Sequence, residues 1–510
     1  MASAAHSSDE PDSAPADATT TLAFAEATEA PAHEDTEPHH DEPVAALPGL
    51  VFIIGALEKL LNTREGKRWE AREALERALA VLKPRAQPRR SQEDAWLGQA
   101  DVGSVIEALE TVCRAAAASG AAATLAVALD CVEKLVSFHY FDHIADLPTA
   151  ASAAERLGAT SQPAGDDHEE HQRLLMRQAI AEVERVRAAA FTAIADRLVG
   201  LVVMCFQGEG TADAVQLQIV RALFALISSD RLPVRQSSML ATIRTTYNVF
   251  VLARSPGNQT IAQGTLTQMV HLVLSRVPVE PEAEDDDDDG GSDSAPQSPV
   301  AASARQDAVA PGGDGAARDA FLLLRALCKL SMRQIPNDHA ADAKSPQLRS
   351  RCLALNLIRL ALAEHTNAFT GSYVYLRSEV ANSSGPPKPA SDGHDPSTTD
   401  GDEFGDVEGP DHRFLLQQLE GASKSEPVSD KDSSVVAVPL IGVIRQYLSL
   451  SLSRNLVSSN TVVLDLGLAI FELTLQHVRN YLRREIEVIF REIMLPVLET
   501  KSSVSLHQRG

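Results

Sequence analysis

Two histidines four residues apart, in His139-Tyr-Phe-Asp-His143, come closest in this chain to a residue pattern with chemistry of its own. On one helix face such a pair offers two imidazole nitrogens to a zinc-class ion. The run lacks the glutamate of a His-Glu-x-x-His motif and has no third ligand nearby, so it reads as a structural pair. His33, His39 and His40 stand among acids near the N-terminus and offer at most adventitious metal binding. Gly208-Glu-Gly210 and Gly312-Gly-Asp-Gly315 follow no strand and bring neither the Lys nor the Ser/Thr of a phosphate-binding loop, so both read as helix-breaking turns. Lys83-Pro-Arg-Ala-Gln-Pro-Arg-Arg90 is a short basic stretch that can touch an anionic headgroup or an acidic tail, and reads more simply as a solvated connection. No Ser/His/Asp or Cys/His set is anchored by a nucleophile motif. No residue is therefore assigned a catalytic, cofactor-binding or metal-ligating role, and no cofactor is expected.

The five cysteines, Cys113, Cys131, Cys205, Cys328 and Cys352, are odd in number, widely spaced and set in apolar stretches. They read as buried thiols of a reducing compartment, which makes the sequons at Asn258 and Asn382 chance matches. No apolar run approaches the roughly 20 residues that span a bilayer. The expectation is a cytoplasmic protein, soluble or peripherally bound.

The elements that would position any site are helical. Ala, Leu and Val dominate an apolar fraction of 44%, while aromatics make up 4%, which favours stacked helices over aromatic-rich strands. The formal net charge of −24 is local: residues 1–50, 280–289 and 392–411 hold eleven, eight and eight acids with no Lys or Arg, together more than the net excess. Such segments extend by self-repulsion and do not pack. The remainder is near neutral, with no basic field for nucleic acid.

Helical periodicity begins at Leu50-Val-Phe-Ile-Ile-Gly-Ala-Leu-Glu-Lys-Leu-Leu61 and continues through 69–83, 101–119, 121–139, 173–207, 211–228, 234–253 and 258–277. Val220, Leu223, Phe224 and Ile227 mark one apolar stripe by the i, i+3, i+4, i+7 rule. Helices resume at 318–332 and 346–364, then at 437–453, 461–478 and 480–499, the last with the stripe Ile486, Ile489, Phe490 and Ile493. Successive one-faced helices with short links predict an all-α fold: an armadillo/HEAT-like α-solenoid of helical hairpins with long disordered acidic inserts. A compact helical bundle is the competing architecture. The expected organisation is a disordered acidic tail at 1–48, a helical domain at 49–277, an acidic Pro/Gly/Ser linker at 278–315, and a second helical domain at 316–500. That second domain holds a disordered insert at about 377–435, and 501–510 reads as a truncated end.

Several runs are specific enough to resemble a known family. Phe52-Ile-Ile-Gly-Ala-Leu-Glu-Lys-Leu-Leu61, Val203-Met-Cys-Phe-Gln-Gly-Glu-Gly210, Asp213-Ala-Val-Gln-Leu-Gln-Ile-Val-Arg-Ala-Leu223, Ile243-Arg-Thr-Thr-Tyr-Asn-Val-Phe250 and Asn258-Gln-Thr-Ile-Ala-Gln-Gly-Thr-Leu-Thr-Gln-Met269 resemble a domain of the large brefeldin-A-inhibited Arf guanine-nucleotide exchange proteins of the Sec-seven and Mon-two superfamily. That domain is the N-terminal dimerisation and cyclophilin-binding (DCB) domain. Asp319-Ala-Phe-Leu-Leu-Leu-Arg-Ala-Leu-Cys-Lys-Leu-Ser-Met332, Leu348-Arg-Ser-Arg351, Leu452-Ser-Arg-Asn-Leu-Val-Ser-Ser459 and Ile486-Glu-Val-Ile-Phe-Arg-Glu-Ile493 resemble the homology-upstream (HUS) domain that precedes their exchange domain. The chain holds neither the Asn-x-Asp-Cys box nor the Phe-Arg-Leu-Pro-Gly-Glu exchange motif. No exchange activity therefore carries over to any residue. The resemblance implies a non-catalytic regulatory scaffold, recruited peripherally to the Golgi and trans-Golgi network through partners. Its expected partners are a second copy of itself, as a homodimer, and small GTPases of the Arf, Arf-like or Rab type. A Mon-two-like trafficking scaffold is the alternative.

Overall fold

The computed structural model describes residues 50–86, 97–141, 144, 147–148, 166–279, 313–333, 345–378 and 434–496, all within one compact unit, Val44–Gly510. The tail expected at 1–48, the end at 501–510, and most of the stretches at 278–315 and 377–435 lie outside the described residues.

Leu50–Leu61 (α1), Trp69–Arg85 (α2), Gln99–Ser119 (α3) and Ala122–Ser137 (α4) form the first two hairpins. The long Asp166–Met204 (α5) follows, then Asp213–Ser228 (α6), Gln236–Leu252 (α7) and Pro256–Ser275 (α8). Gly313–Ser331 (α9), Pro346–Glu364 (α10) and the short Thr366–Thr370 (α11) lead to strand Tyr373–Ser378 (β1). Strand Ser434–Pro439 (β2) runs directly into Leu440–Asn455 (α12), followed by Thr461–His477 (α13) and Arg483–Ile489 (α14). Helices pack on sequence neighbours and on the next hairpin: α1 on α2 and α4, α3 on α2 and α4, α4 on α6, α7 on α8, α9 on α10 and α12, and α10 on α13. This is the all-α, repeat-like stacking read from the periodicity.

Local chemistry sets the boundaries. α3 opens with Asp101 Oδ2 accepting from the Gly98 N–H at 3.2 Å and closes at Gly120, whose φ of +68° suits a residue without a Cβ. There the Ala121 and Gly120 N–H groups donate back to the Ala116 and Ala117 carbonyls, which makes a Schellman stop. The Ser255 hydroxyl and Pro256 start α8, and Asn460 Oδ1 starts α13 by accepting from the Val463 N–H at 3.3 Å. In the α1–α2 turn a Cβ on Gly66 would stand 2.0 Å from the Leu60 carbonyl oxygen, so only glycine fits. Beside it the buried Glu65 carboxylate accepts from the Ser119 and Thr124 hydroxyls at 3.1 and 3.0 Å, tying that turn to the α3–α4 corner.

The core follows the helical period. Val102, Val105, Ile106, Leu109, Val112, Cys113 and Ala116 are buried on α3, as are Val220, Leu223 and Ile227 on α6, while Phe224 is half-buried. Cys113, Cys131, Cys205 and Cys328 are buried free thiols, and Cys352 is half-buried.

Four features depart from the sequence reading. β1 and β2 pair antiparallel, Tyr373 with Pro439 through Ser378 with Ser434, at the margins assigned to the insert. The β-branched Val435, Val436 and Val438 favour that state. Gly313–Gly315, expected in a turn, form the start of α9. α5 begins at Asp166, upstream of the expected Arg173, and none of its residues from 175 to 190 is buried. α14 does not run to 499 as one α-helix: Phe490–Met494 is a π turn, and of its expected stripe Ile489 is buried, Ile486 and Ile493 are half-buried and Phe490 is 45% exposed.

Candidate functional site

His139 sits in the turn after α4 with φ +62°, exposed, and His143 lies outside the described residues. Gly208–Gly210 is a single 3-10 turn with Gly208 at φ +67°, a helix break as expected. Lys83 and Arg85 belong to the last turn of α2, where they pair with Glu58 at 2.8 Å and Asp101 at 2.5 Å; Arg89 and Arg90 lie outside the described residues.

The concentration of specific side-chain geometry lies where α7 and α8 meet α9 and α10. Gln236 opens α7 at φ +45°, and its N–H donates to Asp319 Oδ1 on α9 at 2.7 Å. Arg235 Nη1 donates to Asp319 Oδ2 at 3.2 Å. Asp319, only 2% exposed, thus acts as the N-cap of a helix outside its own segment, where the positive end of the dipole favours a carboxylate. Burial pushes its carboxyl above the usual range, opposed by the Gln236 N–H and by Arg235.

About three helical turns into α7 and one turn into α10 the contact continues. The buried Tyr247 hydroxyl donates to the Ser350 carbonyl and lies 3.0 Å from Ser350 Oγ. Desolvation pushes this phenol up to about 12, so it stays a neutral donor. Arg349 Nη1 donates to Gln259 Oε1 at 2.8 Å, its Nη2 donates to the Val251 carbonyl, and its guanidinium lies 5.8 Å from the Phe250 ring centre.

The opposite face of the same turn looks into the second helical segment. Arg351, 6% exposed, donates through Nε to Asn455 Oδ1 at 2.8 Å and through Nη2 to the Arg454 carbonyl at 3.3 Å. Asn455 Nδ2 donates to the Ser451 carbonyl at 2.7 Å, and the Ser451 and Ser331 hydroxyls meet at 2.7 Å. Leu348-Arg-Ser-Arg351 is therefore two-faced, with Arg349 and Ser350 turned to α7 and α8 and Arg351 to α12. It also meets Leu452-Ser-Arg-Asn455, another of the runs singled out in the sequence. Those runs carried the family resemblance, yet nothing in the linear sequence said that they touch. Arg325 on α9 adds a hydrogen bond to the Tyr447 hydroxyl at 3.2 Å and a stacking contact 5.7 Å from that ring's centre.

This set holds no nucleophile beside a base and no preorganised oxyanion donors. These buried charged and polar groups tie two helical segments together, because shifting either segment would break several of the hydrogen bonds at once. A paired-segment helical scaffold is the class that fold and junction define. The model for the dimerisation and cyclophilin-binding domain of Mon2/Sec7/BIG1-like proteins matches residues 50–281, and the model for their HUS domain matches residues 316–510. The chain belongs to this family.

Three relatives illustrate the match. The ADP-ribosylation factor guanine nucleotide-exchange factor sec71 of Schizosaccharomyces pombe is 27% identical over 429 residues, covering 78% of this chain and 18% of the relative. The corresponding factor SEC7 of Saccharomyces cerevisiae is 26% identical over 501 residues, covering 90% and 20%. Brefeldin A-inhibited guanine nucleotide-exchange protein 1 of Bos taurus is 24% identical over 424 residues, covering 61% and 23%. The chain thus spans roughly a fifth of the length of these relatives.

Proposed function

We propose that this chain is the non-catalytic regulatory region of a Golgi Arf guanine-nucleotide exchange factor, serving dimerisation, autoregulation and recruitment by small GTPases in vesicle-mediated transport. The junction carries this reading: DCB- and HUS-matched segments are joined by several buried polar contacts, which suits a platform that transmits a binding event and not a site that turns over substrate. In this reading residues 49–277 form the DCB module and 316–500 the HUS module.

Self-association is supported by the DCB description of the matching family and by large apolar side chains left in solvent on α1 and α2: Val51 at 70%, Phe52 at 66% and Trp69 at 73% exposure. Peripheral recruitment by partners accords with the described residues containing no helix long and apolar enough to cross a membrane. A Mon2-like trafficking scaffold without an exchange domain is the alternative; the relatives above are named as exchange factors, which favours the first reading.

The test is capture of Arf, Arf-like and Rab GTPases loaded with GTP or GDP by purified 1–510, with mass read by light scattering. A dimer that captures a GTPase in its GTP form alone, with no acceleration of nucleotide exchange on Arf, is expected. A monomer that binds none of them, or measurable exchange, overturns the proposal.

A further inference from the structure

At the edge of the junction, away from the buried polar contacts, two histidines from different modules face each other. His271 lies in the last turns of α8; Glu364 is the last residue of α10 and His365 follows it. His365 Nε2 stands 3.0 Å from His271 Nδ1, the rings are tilted at 56° with centres 4.7 Å apart, and Glu364 Oε2 is 3.5 Å from His271 Nδ1. One ligand atom from each residue lies within 4.8 Å of the other two. A tetrahedral zinc ion with bonds of about 2.0–2.1 Å holds its ligand atoms about 3.3–3.4 Å apart, and the two closest separations here bracket that value. The chains of ligand and helix agree in charge as well: a carboxylate and the negative ends of two helices, α8 and α10, converge on the spot.

We propose that His271, Glu364 and His365 bind one zinc-class divalent transition-metal ion that staples the last DCB helix to the HUS segment, leaving a fourth position for water or a partner's ligand. Two imidazoles with one carboxylate select this class over magnesium or calcium, which take oxygen ligands. On binding, the proton shared between the rings moves to a far ring nitrogen or to solvent. The ligands are 94 positions apart in sequence, so the site exists only when the two segments are docked.

The experiment uses the full 1–510 chain, stripped with a chelator and titrated with Zn2+ by calorimetry and with Co2+ by visible absorption. One equivalent is expected, with a tetrahedral cobalt spectrum and a zinc-dependent rise in the melting midpoint. H271A and H365A, at exposed or half-exposed positions that leave the core intact, are each expected to weaken that equivalent by more than about tenfold and to abolish the rise. E364Q weakens it less, and a tail variant, H33A/H39A/H40A, retains it. Unchanged affinity in H271A/H365A, or loss of the equivalent in the tail variant, overturns the proposal. So does a wild-type melt indifferent to zinc. None of these readouts depends on GTPase capture, so failure here is distinguishable from failure of the proposed function.

Discussion

Asp319 concentrates the physics of the junction in one side chain. It caps a helix from another segment and pairs with Arg235, itself partly in solvent, so the carboxylate's desolvation and its hydrogen bonds pull in opposite directions. Removing the acceptor strands the Gln236 N–H and the guanidinium, so D319A is expected to cost about 1.5–3 kcal/mol, measured by urea unfolding at neutral pH. The carboxyl is raised in the folded chain, which means that the folded state binds the proton more tightly than the unfolded state does. Its contribution is whole below the ordinary carboxylate pKa and declines as pH rises through the raised value. D319N removes that slope. The stability gap between wild type and D319N is therefore expected to narrow as pH rises from about 4, the ordinary carboxylate value; a gap that widens would show that ionisation stabilises this site.

Helices were the most legible part of the sequence, because a 3.6-residue apolar period is a local property. The Asp213–Ser228 and Pro346–Glu364 helices match the predicted spans closely. What escaped is non-local. The β1–β2 ladder pairs residues more than fifty positions apart, and six-residue runs at the margin of a polar stretch carry no signal until their partner is known. The α14 stripe is apolar, but periodicity alone does not say that something covers it. Legibility of the junction was partial for the same reason: Asp319, Arg349 and Asn455 stood in runs that marked the family, whereas their pairing, and that of His271 with His365, needed the fold. At this scale one prediction follows from composition. Residues 280–312 and 385–410 contain almost no large apolar side chains. Deleting both is expected to leave the melting midpoint within a few degrees, a change of about 1 kcal/mol or less; collapse of the transition would refute this.

Buried apolar residues from Leu50 to Ile489 form one cluster that runs through both family-matched segments. Unfolding of the chain is accordingly expected as a single cooperative transition. The combined variant Y247F/R349A removes the phenol's bond to the Ser350 carbonyl, both guanidinium bonds and the contact with Phe250. It should cost about 1.5–4.5 kcal/mol and split calorimetric melting into two steps, since three hydrogen bonds at roughly 0.5–1.5 kcal/mol each are lost. A single unshifted peak would mean that apolar packing alone couples the segments.

The two-stranded ladder has a consequence for how this chain tolerates change. Ser378 and Ser434 are paired, so whatever lies between them departs and returns at one point on the scaffold. Closing a longer or shorter excursion changes the free energy only logarithmically with its length. The position therefore behaves as a docking port for foreign sequence: a fluorescent reporter, a protease site or a fresh pair of chain ends can be placed there while α10 and α12 keep their places.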